Sequence, residues 1–116
     1  MQEQTFGQKL RELRRMANVT QRQLADQVGV DFSYISKLEN DRIPPPAADT
    51  IVAICQILNI DPNELLALTG KLPSDVQETI GKSEAAQRFL REARELTLSE
   101  QEWDSMLKSL RHLRGD

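Results

Sequence analysis

Four side chains in a run of six residues, Phe32, Ser33, Ser36 and Lys37, occupy the helical positions left free by the apolar pair Ile35 and Leu38. In a helix laid in a DNA groove, side chains of these types contact base edges. Lys37 donates to guanine O6 or N7, Ser33 pairs with several bases, and Phe32 makes only apolar contact, most usefully with a thymine methyl. Upstream, Thr20 and Gln21 open another helix, where backbone N–H groups and the positive end of the dipole suit a phosphate and the Gln21 amide adds a donor. Tyr34, Asn40 and Arg42 are suited to the sugar–phosphate backbone. Plainer uses stand beside these: Phe32 as a packing residue, Lys37 on a phosphate without reading a base, and Tyr34 as scaffold.

No comparable set supports catalysis. His112 is the only histidine and falls on the polar side of the last helix, while the single cysteine, Cys55, lies among Ile51, Val52, Ile54, Ile57 and Leu58 as a small core residue. A histidine-based metal cluster or a Cys–His pair within one chain is thereby excluded, and there is no Gly-rich phosphate loop. The expectation is a chain that is not an enzyme and needs no cofactor or metal.

The elements that must hold the polar face are two short helices at a sharp turn. Leu24, Ala25 and Val28 recur at the intervals of a buried helix face, and Ile35 with Leu38 repeat the interval one helix later. Thr20 and Gln23 have the spacing of a capping box, Gly29 supplies the left-handed residue that ends the first helix, and Asp31 is placed to cap the second. The small Ala25 allows the second helix to approach closely.

The run Thr20-Gln-Arg-Gln-Leu-Ala-Asp-Gln-Val-Gly-Val-Asp-Phe-Ser-Tyr-Ile-Ser-Lys-Leu-Glu-Asn40 resembles the helix-turn-helix of the Xre or phage-repressor-like transcription factors. The resemblance covers about residues 5 to 70. It implies a five-helix all-α domain that sets its third helix in the DNA major groove. Phe32, Ser33 and Lys37 fall on the family's base-reading positions; Gln21, Asn40 and Arg42 fall on its phosphate contacts. Arg14 and Glu39 match a structural pair in which an arginine of the first helix meets the glutamate of Leu-Glu-Asn. Two positions depart from the pattern: Asp41 stands where glycine is common, and Ala47 where a serine caps the fourth helix. Asp41 is expected to visit left-handed geometry at modest cost, and the cap at Ala47 to be weak.

The remaining elements follow from periodicity. Phe6, Leu10 and Leu13 define a first helix from about Thr5 to Met16, ended at Asn18. After the stiff Pro44-Pro45-Pro46 loop, a fourth helix runs from about Ala48 to Asn59, and a fifth opens at Asp61-Pro62-Asn63-Glu64, with Asp61 as cap, and closes at Gly70. Further starts are expected at Ser74, Ser83 and Ser99, the last with Glu102 in a capping box. The expected division is residues 1–70 for DNA binding and 71–116 as a short helical segment for dimerisation or partner binding. Phe89 and Leu90, then Trp103, Met106, Leu107, Leu110 and Leu113, form apolar stripes on this segment that need a partner. They pack on the chain itself or build a homodimer interface.

A net charge of −3 over 116 residues places the DNA-binding charge in local groups such as Lys37 and Arg42 rather than in bulk. No apolar run is long enough to span a membrane, and Met1-Gln-Glu-Gln lacks signal-peptide character, so a cytoplasmic location is expected. The sequence thus predicts a repressor that binds double-stranded DNA as a homodimer on an inverted repeat. The alternative is an antitoxin or mobile-element immunity regulator whose last helices bind a toxin or a regulatory metallopeptidase.

Overall fold

The computed structural model describes residues 3–115 and contains, among them, helices and turns but no strand. In chain order the helices are α1 (Phe6–Met16), α2 (Gln21–Val28), α3 (Phe32–Glu39), α4 (Ala48–Leu58), α5 (Asn63–Thr69), α6 (Ser74–Gly81), α7 (Glu84–Leu96) and α8 (Glu100–Arg111). They divide into two compact units, the first extending to Val76 and the second from Gln77. The first unit includes the segment just after Gly70, which is bonded back to it. Lys71 Nζ donates to the carbonyls of Pro45 and Pro46, each at 3.0 Å, and the Ser74 N–H donates to Asp49 Oδ1 at 2.9 Å.

Local signals explain most helix ends. The Thr5 hydroxyl accepts the Gln8 N–H while the Gln8 side chain accepts the Thr5 N–H, and Thr20 with Gln23 repeats the arrangement at α2. Gly29 ends α2 at φ 85°, and its N–H reaches the Ala25 carbonyl at 2.8 Å. Asn18 and Asn59 take left-handed geometry after α1 and α4. Two expectations need correction. Asp31 occupies the cap position of α3, but its side chain makes no capping bond. Asp61 Oδ1 accepts the Asn63 N–H at 2.8 Å, yet α5 begins only at Asn63, with Pro62 rather than Asp61 at the cap position.

Phe6 and Leu10 of α1, Leu24 and Ala25 of α2, Ile35 and Leu38 of α3, Ile51, Ile54, Cys55 and Leu58 of α4 and Leu65 of α5 enclose one apolar core. α3 is packed against α1 and α2, α4 against α2 and α5, and α5 also against α1. A buried Leu or Ile in such a core stabilises it by roughly 1.5–3 kcal/mol. Since α3 alone supplies two of them, it is held by its apolar side and presents its other side to solvent.

In the second unit, Ser83 caps α7 by accepting the Ala86 N–H at 3.0 Å, and Ser99 with Glu102 forms a capping box at α8. Ala93 is its one buried residue among those described.

Candidate nucleic-acid interface

The position of α3 is fixed by a polar cluster on its inner side. Arg14 donates from Nε and Nη2 to the two oxygens of Glu39 at 2.6 and 2.9 Å, and from Nη1 to the Val19 carbonyl at 2.8 Å. The Gln21 amide adds a bond to Glu39 at 2.9 Å and Arg11 Nε a longer one at 3.4 Å. Glu39 is fully buried, with no side-chain exposure. Burial by itself would raise its carboxyl; the hydrogen bonds from Arg14 and Gln21, the Arg14 charge and Arg11 outweigh that and hold it below its ordinary value. α1, α2 and α3 therefore meet at one carboxylate.

A second clamp joins the two ends of the same assembly. Asp41, just past α3 at φ 56°, accepts the Gly7 N–H at 2.9 Å and the Thr5 hydroxyl at 2.6 Å. The sequence suggested only a residue tolerant of left-handed backbone; the carboxylate also ties the start of α1 to the end of α3. Gly7 is required there for space, since a Cβ would lie 2.5 Å from the Leu38 carbonyl oxygen and 2.6 Å from that of Glu39.

On the outer side of α3, Phe32, Ser33 and Lys37 are exposed and Ser36 is half-buried. Tyr34 packs against the core, so its ring serves the scaffold. Asn40 donates to the Ser36 carbonyl at 2.8 Å and accepts from Arg11 Nη2 at 2.9 Å, while Arg42 extends exposed from the turn after α3. Thr20 Oγ1 is used as an acceptor in its cap, which leaves the hydroxyl proton to donate outward. Gln21, expected on a phosphate, turns its amide nitrogen inward to Glu39. The arrangement offers an exposed face of α3 beside the N-terminus of α2, with Thr20, Lys37 and Arg42 around it.

Three residues of this surface and its support were not singled out from sequence. Arg11 bridges Glu39 and Asn40, Gly7 allows the close approach, and Arg22 lies over the Phe32 ring with its guanidinium carbon 4.6 Å from the centroid. Each acts on a residue ten or more positions away, a relation that helical periodicity does not report.

In the second unit, Phe89, Leu90, Trp103, Leu107, Leu110 and Leu113 are between 37% and 74% exposed. With the half-buried Met106, five of them line an apolar groove of about 550 Å³, Leu90 lying outside it. Among the described residues no His, Cys, Asp and Glu side chains are grouped to hold a metal ion, and no helix is long and apolar enough to cross a membrane.

Two helices at a fixed turn, the second presenting a polar face, define a DNA-binding helix-turn-helix protein. Residues 7–71, over half of the chain, match the family model for the helix-turn-helix domain, and the chain belongs to that family, the Xre-like helix-turn-helix transcriptional regulators. An uncharacterized HTH-type transcriptional regulator, RghRB of Bacillus subtilis (strain 168), is 37% identical over 82 residues, which are 71% of this chain and 59% of that protein. The chain therefore spans less than two thirds of that relative's length. A solved structure of a SinR protein/SinI protein complex matches in fold with a TM-score of 0.51 at 19% identity, over 97% of this chain and 100% of that one.

Proposed function

We propose that this regulator is a homodimeric repressor that places α3 of each subunit in the major groove of an inverted-repeat operator. The half-sites then lie about 34 Å apart. Phe32, Ser33, Ser36 and Lys37 read bases, and Thr20, Asn40, Arg42, the Tyr34 hydroxyl and the main-chain N–H of Gln21 hold the backbone, the Gln21 amide being bonded to Glu39. The reading is carried by one observation: the exposed face of α3 is held at a fixed angle by the buried Arg14–Glu39 pair. The exposed apolar stripe of α7 and α8 supports the dimer, because burying it removes several large side chains from water. Repression follows from occupancy of a site that overlaps a promoter.

Selection of bound sequences from a random duplex pool tests this. The wild type is expected to enrich an inverted repeat. Lys37→Ala is expected to relax one position per half-site, and Arg42→Ala to weaken all sequences alike and reduce the salt slope by about 1. A wild type that enriches no sequence would overturn the base-reading role of α3. Size determination tests the dimer: a wild type that is monomeric at micromolar concentration, or a Leu110→Asp variant still dimeric, rules out the stripe as the interface.

A second reading assigns the α7–α8 surface to another protein, such as a toxin or a regulatory metallopeptidase. It is favoured by the same exposed stripe and by the fold match to a structure containing two different proteins. A stable homodimer that buries Trp103 removes it.

A further inference from the structure

We infer that Arg22 and Phe32 together read a two-base-pair step in which a thymine adjoins a guanine, making Arg22, on α2, a specificity-determining residue. The inference rests on α3 being the groove helix. Phe32 opens α3 and is 40% exposed, and the Arg22 guanidinium carbon lies 4.6 Å from its ring centroid. A guanidinium stacked on a ring uses its face and keeps its edge N–H donors for a bidentate acceptor. Arg22 is exposed, and none of the ion pairs among the described residues engages it.

The pair unites the two groups that such a step requires. Phe32 has no donor and finds a methyl group, which in the major groove is carried by thymine; Arg22 has the fork that fits guanine O6 and N7. Because the guanidinium lies over the face of the ring rather than in its plane, the two groups are assigned to neighbouring pairs rather than to one base edge. Arg15 and Thr20 line the same cleft as Arg22 and Phe32 and are the groups suited to a backbone phosphate there, which leaves the Arg22 fork for a base.

The test is sequence selection with wild type, Arg22→Ala and Arg22→Lys, followed by binding of the wild type to its selected site with the thymine replaced by uracil. The wild-type logo should contain the thymine–guanine step. Arg22→Ala should lose about tenfold in preference for guanine at that position alone. Arg22→Lys, which keeps the charge but not the flat fork, should not restore it. Uracil should weaken wild-type binding about threefold, through the lost methyl contact. An Arg22→Ala logo identical to wild type, with all sites weakened alike, makes Arg22 a phosphate contact and overturns the inference. So does a wild-type repeat without the step, which leaves the groove role of α3 intact; a wild type with no preferred sequence removes both. The exposed position of Arg22 keeps both variants folded, which their far-UV circular dichroism melts will report.

Discussion

Glu39→Gln is expected to lower the free energy of unfolding by about 3 kcal/mol at neutral pH. The carboxylate accepts bonds from Arg14 at 2.6 and 2.9 Å, from Gln21 at 2.9 Å and from Arg11 at 3.4 Å, and a glutamine of the same shape has one acceptor oxygen for them. Its NH2 group faces donors, and the Arg14 charge, on a side chain only 9% exposed, loses its counter-ion. Removing one partner of a buried pair costs about 3–5 kcal/mol. The lower end applies because Arg14 keeps its bond to the Val19 carbonyl, and Arg11, with a side chain 36% exposed, can turn to water. Arg14→Met combined with Glu39→Leu leaves no unmatched buried charge, Arg11 turning to water, and should recover about half of the loss. Because folding holds the Glu39 carboxyl below its ordinary 4.5, its contribution is present above that pH and is lost as the pH falls through the lowered folded value. The gap between wild type and Glu39→Gln should therefore be narrower at about pH 3 than at about pH 7. Urea denaturation followed by far-UV circular dichroism measures both. A loss below about 1 kcal/mol at neutral pH, or a gap indifferent to pH, would refute the reasoning.

Gly7→Ala should destabilise by about 3 kcal/mol, since the new Cβ meets two backbone carbonyls at 2.5 and 2.6 Å. Helix propensity alone would favour alanine by about 1 kcal/mol, so the sign of the change in a denaturation curve decides. Asp41→Ala loses the bonds to Thr5 and Gly7 and keeps the left-handed strain, whereas Asp41→Gly loses the bonds and relieves it. In thermal melts glycine should lie between wild type and alanine, about 1 kcal/mol above the latter, and equal melting points for the two variants would contradict this. The Cys55 thiol, fully buried and pushed up to about 11 by burial and then by the Asp61 charge, should react with a thiol reagent at mildly alkaline pH only through unfolding. Labelling should therefore be faster in Glu39→Gln; wild-type labelling as fast as that of a free thiol contradicts the burial.

The parts of the fold that sequence disclosed are those written locally. Thr20 with Gln23, Ser99 with Glu102 and Gly29 mark ends through bonds to residues at most four away, and Leu24, Ile35 and Leu38 mark buried faces through spacing. What remained hidden depends on chain closure. Arg11 meets Asn40 across 29 residues and Gly7 meets Asp41 across 34, and nothing in either neighbourhood announces the other. Asp31 shows the converse limit: a residue type suited to capping stands at the cap position, and its side chain does not form the bond. For the candidate site, the outward positions of α3 were readable because they are the complement of Ile35 and Leu38, whereas the Arg22–Phe32 stack depends on how α2 crosses α3.

α3 has only eight residues, and most of its supporting positions are distinct from its outward ones. Ile35, Leu38 and Glu39 bind it to the rest of the protein, while Phe32, Ser33 and Lys37 support nothing in the core. Substitutions at the outward positions are thereby released from the demands of folding, and a lineage can retune them one at a time without passing through unstable intermediates. The same partition makes α3 a cassette: a library varied at 32, 33 and 37 on the Arg14–Glu39 support should stay folded while its preferred sequences diverge.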